Sequence, residues 1–169
     1  ILDKANISDC ILVGHSDGAS IALIYAGKVR DPRIKGLVLL SPHVKAEEKT
    51  VRQIKIMADE FLSSGLDRKL KKYHGGNTEC AFFGWSRCWL DPAFLSWNIE
   101  DVLSDIKVPI LCVRGRDDPF NTRYHVDSIR NNTSSLVQVV TLEKCGHSPH
   151  RESPKSLMAG VQDFISGAL

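Results

Sequence analysis

At 169 residues, 43% apolar and 25% charged, the chain is long enough for one domain with a sizeable core, and its balance is ordinary for a soluble globular protein. A formal charge of +2 with intermixed signs gives no basis for nucleic-acid or membrane binding. No apolar run approaches the ~20 residues of a membrane span.

The chain opens at Ile1 without Met, in residues that read as the tail of a helix, and no signal peptide is expected. Residues 10–14 predict the first strand and residues 17–29 a helix, apolar nearly all round through Ile21, Ala22, Leu23, Ile24, Tyr25 and Ala26. Residues 36–40 predict the second strand. Residues 43–107 are far too long for a simple crossover and predict an inserted, mostly helical cap. Within it, Val51, Ile54, Ala58, Phe61 and Leu62 share one face of a helix over 46–62, and Arg68–Lys72 reads as a solvated basic face. The stretch from Phe82 to Trp97 holds all three tryptophans, Trp85, Trp89 and Trp97, first of all as a local core of the cap. Residues 109–114 and 136–142 predict the third and fourth strands. A last helix starts at Ser153-Pro154, a cap followed by a first-turn proline, and is expected to bury Leu157, Val161, Phe164 and Ile165. Val-, Ile- and Leu-rich strands without clean alternation, interleaved with helices, indicate an α/β fold. Its sheet is expected to be mostly parallel, covered on both faces by helices, with right-handed crossovers.

The cysteines Cys10, Cys80, Cys88, Cys112 and Cys145 are odd in number and lack Cys-x-x-Cys. They read as reduced, buried thiols of a cytoplasmic protein. Neither they nor the histidines show metal-ligand spacing, so no metal is expected.

Three segments carry chemistry, and each comes at or after the end of a predicted strand. Gly14-His15-Ser16-Asp17-Gly18 has the Gly-x-Ser-x-Gly pattern between strand and helix, a turn tight enough to hold a serine strained and exposed. Both outer glycines are expected where a side chain would strike the neighbouring strand or the following helix. Gly115-Arg116-Asp117-Asp118-Pro119 follows the third strand, and Cys145-Gly146-His147 follows the fourth. A serine hydroxyl needs an imidazole to take its proton, and the imidazole needs a carboxylate to fix its tautomer. Loops at the carboxyl ends of parallel strands open on one edge, so the three segments can converge.

Gly14–Gly18, Gly115-Arg116-Asp117-Asp118 and Gly146-His147 with Glu152 and Pro154, in that order, make the chain resemble the C-terminal part of an α/β-hydrolase-fold protein. The resemblance runs essentially the whole length and implies a partial α/β-hydrolase fold with the first half-sheet absent. It implies Ser16 as nucleophile, His147 as general base and Asp118 as orienting acid. The family's Gly-x-x-Asp spacing favours Asp118 over Asp117, and Pro119 biases Asp118 to an extended conformation. The backbone N–H of Asp17 is expected as one oxyanion donor, the second coming in this fold from a loop after an earlier strand. His15, His43, His74, His125 and His150 read as surface or cap histidines, with His15 and His43 placed to line the site, so that His15, His43, Trp85 and Trp89 are the candidates for substrate contact. The expected activity is that of a serine hydrolase acting on a small-molecule carboxylic ester or similar acyl substrate, without a cofactor. A carbon–carbon bond hydrolase or perhydrolase of the same fold, a non-catalytic interaction module, and an inert fragment are the alternatives.

Overall fold

The computed structural model describes residues 1–168. Strands β1 (Cys10–His15), β2 (Ile34–Leu40), β3 (Ile110–Gly115) and β4 (Val137–Leu142) form one sheet in the order β1-β2-β3-β4, each neighbouring pair parallel. The four predicted strands are all present, their ends moved by two residues at most. Register sets His15 opposite Leu40, Leu40 opposite Val113, and Gly115 opposite Leu142, so the carboxyl ends of all four strands share one edge.

The helices of this sheet unit are α1 (Asp17–Ile24), α5 (Tyr124–Asn132), α6 (Pro149–Glu152) and α7 (Pro154–Ala168). On one face Val38, Leu40, Leu111, Val113 and Leu142 pack with Leu157 and Phe164 of α7 and with Cys145. Alternation along the strands turns Leu37, Leu39, Ile110 and Cys112 the other way, and they are equally buried. Leu157, Val161 and Phe164 recur at helical spacing, but Ile165, expected with them, is 44% exposed. One residue past Phe164 turns a side chain about 100° off the buried stripe.

Coverage of the sheet is uneven. Among the described residues β1 has no neighbour on its outer edge, and Val13 and Ile21 are both about two-thirds exposed. The first helix is also shorter than expected, giving way at Tyr25–Val29 to a wide π turn. There Gly27 lies so near the segment Glu100–Asp105 that a Cβ would sit 2.5 Å from the carbonyl oxygen of Val102.

Residues Lys45–Trp97 form a second compact unit, narrower than the expected 43–107. His43, Val44, Ile99, Val102, Leu103 and Ile106 are buried and belong to the sheet unit. A neck marks the division. The Ile99 N–H donates to the Val44 carbonyl at 2.8 Å, and one step further out Ala46 N–H donates to the Trp97 carbonyl at 2.9 Å. The inserted unit contains α2 (Glu48–Asp59), α3 (Leu66–His74) and α4 (Thr78–Leu90). Its core is aromatic: Phe61 stacks on Phe82, and Trp89 meets Phe94 and Trp97 edge-on. Leu62, assigned from its spacing to the buried face of α2, lies beyond the end of that helix and is exposed.

Of the cysteines, Cys112 and Cys145 are buried, Cys10 is half-buried, and Cys80 and Cys88 are exposed on α4. The expectation of uniformly buried thiols is corrected there, since both lie on the outer side of an amphipathic helix. Burial pushes the Cys112 thiol up to about 12. Among the described residues no helix is long and apolar enough to cross a membrane.

Candidate active site

β1 delivers Ser16 at the edge where the strands end. Its backbone (φ 54°, ψ −120°) lies in a region that side-chain-bearing residues rarely adopt. Both sides of the residue are fastened. Ser16 N–H donates to the Leu40 carbonyl at 2.9 Å, and the Ser16 carbonyl accepts from Ala19 N–H at 2.9 Å as α1 begins. A Cβ on Gly14 would lie 2.3 Å from the Gly18 carbonyl oxygen, so the strand and helix approach each other only through glycine. Gly18 differs from expectation. A Cβ there meets nothing within 4 Å, because its Cα faces the open side of α1 beside Val13 and Ile21.

The structure brings Ser16, His147 and Asp118 into one hydrogen-bonded chain. Asp118 accepts from His147 Nδ1–H at 2.8 Å through Oδ2. With the proton on Nδ1, Nε2 is the bare nitrogen and accepts from the Ser16 hydroxyl at 3.0 Å. Asp118 is 2% exposed and its Oδ1 also accepts from the backbone N–H of Phe120 at 2.8 Å. Burial alone would raise the Asp118 carboxyl. The hydrogen bond and charge of His147, with the Phe120 N–H and the Ser41 hydroxyl, outweigh it and hold the group below the usual carboxylate value. Asp117, its neighbour, is exposed, and its backbone N–H donates to the Cys145 carbonyl at 2.9 Å.

Asp17 is the first residue of α1, so its N–H lies at a helix N-terminus immediately after the serine. His15 places its ring 5.0 Å from that of His147 and 4.9 Å from that of His150. Burial pushes the His15 imidazole below its ordinary value, against the hydrogen bond to the His147 carbonyl that pulls it up. His43 is fully buried, 5.9 Å from the His147 ring and 5.0 Å from His125. His125 is a core residue rather than a surface one, accepting the Val44 N–H at Nδ1. Trp89 is buried among the aromatics of the inserted unit, and Trp85 is half-buried beside Phe82.

Two neighbours of the imidazole were not singled out from the sequence. Phe120 lies 4.7 Å from the His147 ring, and Ser41, directly after β2, is fully buried with positive φ. The only signal for Ser41 was its place directly after a predicted strand, on the same edge as the three motifs.

Residues 2–160 match the model of the alpha/beta hydrolase family, and the chain belongs to that family. A curated Mycoplasma genitalium protein that carries an esterase/lipase name is 24% identical over 96% of this chain and 69% of its own length. Among solved structures, an esterase from Rhodococcus sp. ECU1013 superposes with a TM-score of 0.68 at 20% identity, over 99% of this chain and 69% of its own. A bacterial membrane phospholipase A superposes with a TM-score of 0.76 at 21% identity, this chain spanning 60% of its length.

Proposed function

We propose that the chain carries the nucleophile, base and acid of a serine hydrolase that cleaves carboxylic esters or similar acyl substrates. One observation supports it above the others: the unbroken path from Ser16 Oγ to His147 Nε2 at 3.0 Å and from His147 Nδ1 to Asp118 at 2.8 Å. In this reading Ser16 Oγ attacks the acyl carbon while its proton passes to His147 Nε2. Asp118, ionised and buried, stabilises the imidazolium. The Asp17 N–H donates to the oxygen that becomes negative. The imidazolium then protonates the departing alkoxide, leaving Ser16 acylated. A water deprotonated by His147 attacks the acyl carbon, and the imidazolium returns that proton to Ser16 Oγ as the bond to it breaks and the acid leaves. The esterase/lipase name of the Mycoplasma relative agrees with this chemistry.

Treatment with a fluorophosphonate tests it. Label is expected on Ser16, absent in Ser16→Ala, and accompanied by hydrolysis of p-nitrophenyl esters. A folded protein that takes up no label would overturn the assignment.

A further inference from the structure

The segment that carries His147 is gripped at three backbone groups by side chains from three separate parts of the chain. The His147 carbonyl oxygen accepts from His15 Nε2–H at 2.8 Å and from the Ser41 hydroxyl at 3.1 Å. On either side of it, the Gly146 N–H donates to Glu152 Oε2 at 2.6 Å and the Ser148 N–H donates to Glu152 Oε1 at 2.8 Å. None of these bonds forms the strand and helix ladders. A loop after an edge strand has few ways of satisfying its backbone, and here each of the three polar groups has a side-chain partner.

The three partners are placed where they tie this loop to the other parts of the candidate site. His15, the last residue of β1, directly precedes Ser16, so its bond links the serine and histidine segments without passing through the reacting atoms. Ser41 directly follows β2, and its single hydroxyl proton has both the His147 carbonyl and the Asp118 carboxylate within reach. Glu152 ends α6 and holds two amides with a charged acceptor, the stronger kind of hydrogen bond. We propose that His15, Ser41 and Glu152 are positioning residues that clamp residues 146–148 and thereby hold the His147 imidazole between Asp118 and Ser16. The kinetic part of the test rests on the hydrolase reading; the spectroscopic part does not. A base displaced by 1 Å costs about 10²-fold in rate, so a clamp on the backbone of the base acts on the reaction while touching no substrate.

The test compares wild type with His15→Phe, His15→Gln, Ser41→Ala and Glu152→Gln. One readout is the rate of fluorophosphonate labelling, separated into affinity for the probe and the bonding step. The other is the NMR signal and solvent exchange of the His147 Nδ1 proton held by Asp118. Glu152→Gln loses one acceptor and the charge, and labelling is expected to slow about tenfold in the bonding step alone, with faster exchange of the Nδ1 proton. His15→Phe keeps a ring but no donor and is expected to slow labelling several-fold. His15→Gln places an amide N–H at the same reach and is expected to recover most of that loss. Ser41→Ala, the smallest change, keeps the readout available if a larger one fails to fold. Wild-type rates and exchange in the folded variants, or labelling of His15→Gln as slow as that of His15→Phe, would overturn the clamp. A wild-type protein that shows the Nδ1 proton but takes no label sinks the hydrolase reading instead, and the exchange measurements still judge the clamp.

Discussion

Replacing Ser16 by Ala and by Gly separates the conformational cost of the turn from the loss of the hydroxyl. Both variants lose the hydrogen bond to His147 and the label, so activity does not distinguish them; stability does. Alanine keeps the Cβ that makes φ 54°, ψ −120° unfavourable, whereas glycine removes it. Strain of this kind amounts to about 1–3 kcal/mol. Glycine's greater freedom in the unfolded chain offsets about 0.5–1 kcal/mol of that relief. The remaining advantage of Ser16→Gly over Ser16→Ala is about 1 kcal/mol, worth about 2–4 °C in Tm for a chain of this size. The bonds from Ser16 N–H to Leu40 and from Ala19 N–H to Ser16 use backbone atoms only, so they persist in both variants. Thermal and urea unfolding of the pair measure the difference. A glycine variant no more stable than the alanine variant would show that the turn stores no strain.

Gly115→Ala is expected to damage the site from the far side of the imidazole: its Cβ would fall 2.1 Å from the Gly146 carbonyl oxygen and 2.2 Å from that of Cys145, both backbone atoms. The His147 loop must move, which predicts a labelling rate about 10²-fold lower and a loss of about 1–3 kcal/mol in urea unfolding. Asp118→Asn is expected to lower the labelling rate by about 10⁴ through the wrong imidazole tautomer, while Asp117→Asn leaves it within twofold; equal losses would contradict the assignment of the buried carboxylate. Because His15 titrates lower in the folded protein than unfolded, the unfolded chain binds the extra proton as pH falls. Stability is therefore expected to decline from about pH 6.5 downward, fully present above that value. Urea midpoints between pH 5 and 8 check this, and His15→Gln is expected to flatten the curve.

The strands and the Ser16–His147–Asp118 chain were readable because each motif follows an apolar run, and parallel strands carry whatever follows them to one edge. What long-range packing decides was not readable. Ser41 looks like any residue after a strand until the His147 carbonyl arrives beside it from over a hundred residues away. His43 and His125 belong to a residue type that is seldom fully buried, and only the folded chain shows them packed on each other. Gly14 and Gly18 look equivalent in the pattern, yet only Gly14 meets another backbone. Val13 and Ile21 were apolar for a buried strand and helix, but nothing among the described residues covers them.

The neck at Val44–Ile99 and Ala46–Trp97 has a consequence in polymer terms. It ties the two ends of the insert together, so the chain between them behaves as a closed loop. Doubling such a loop adds only about 0.6 kcal/mol of closure entropy, less than one buried methylene contributes. The Val44 side of the neck is fixed independently, since Pro42 is held by Asn121, His43 by Ser20 and Val44 by His125. Added length between Lys45 and Trp97 therefore costs little in closure entropy, because the neck already closes the loop at its base.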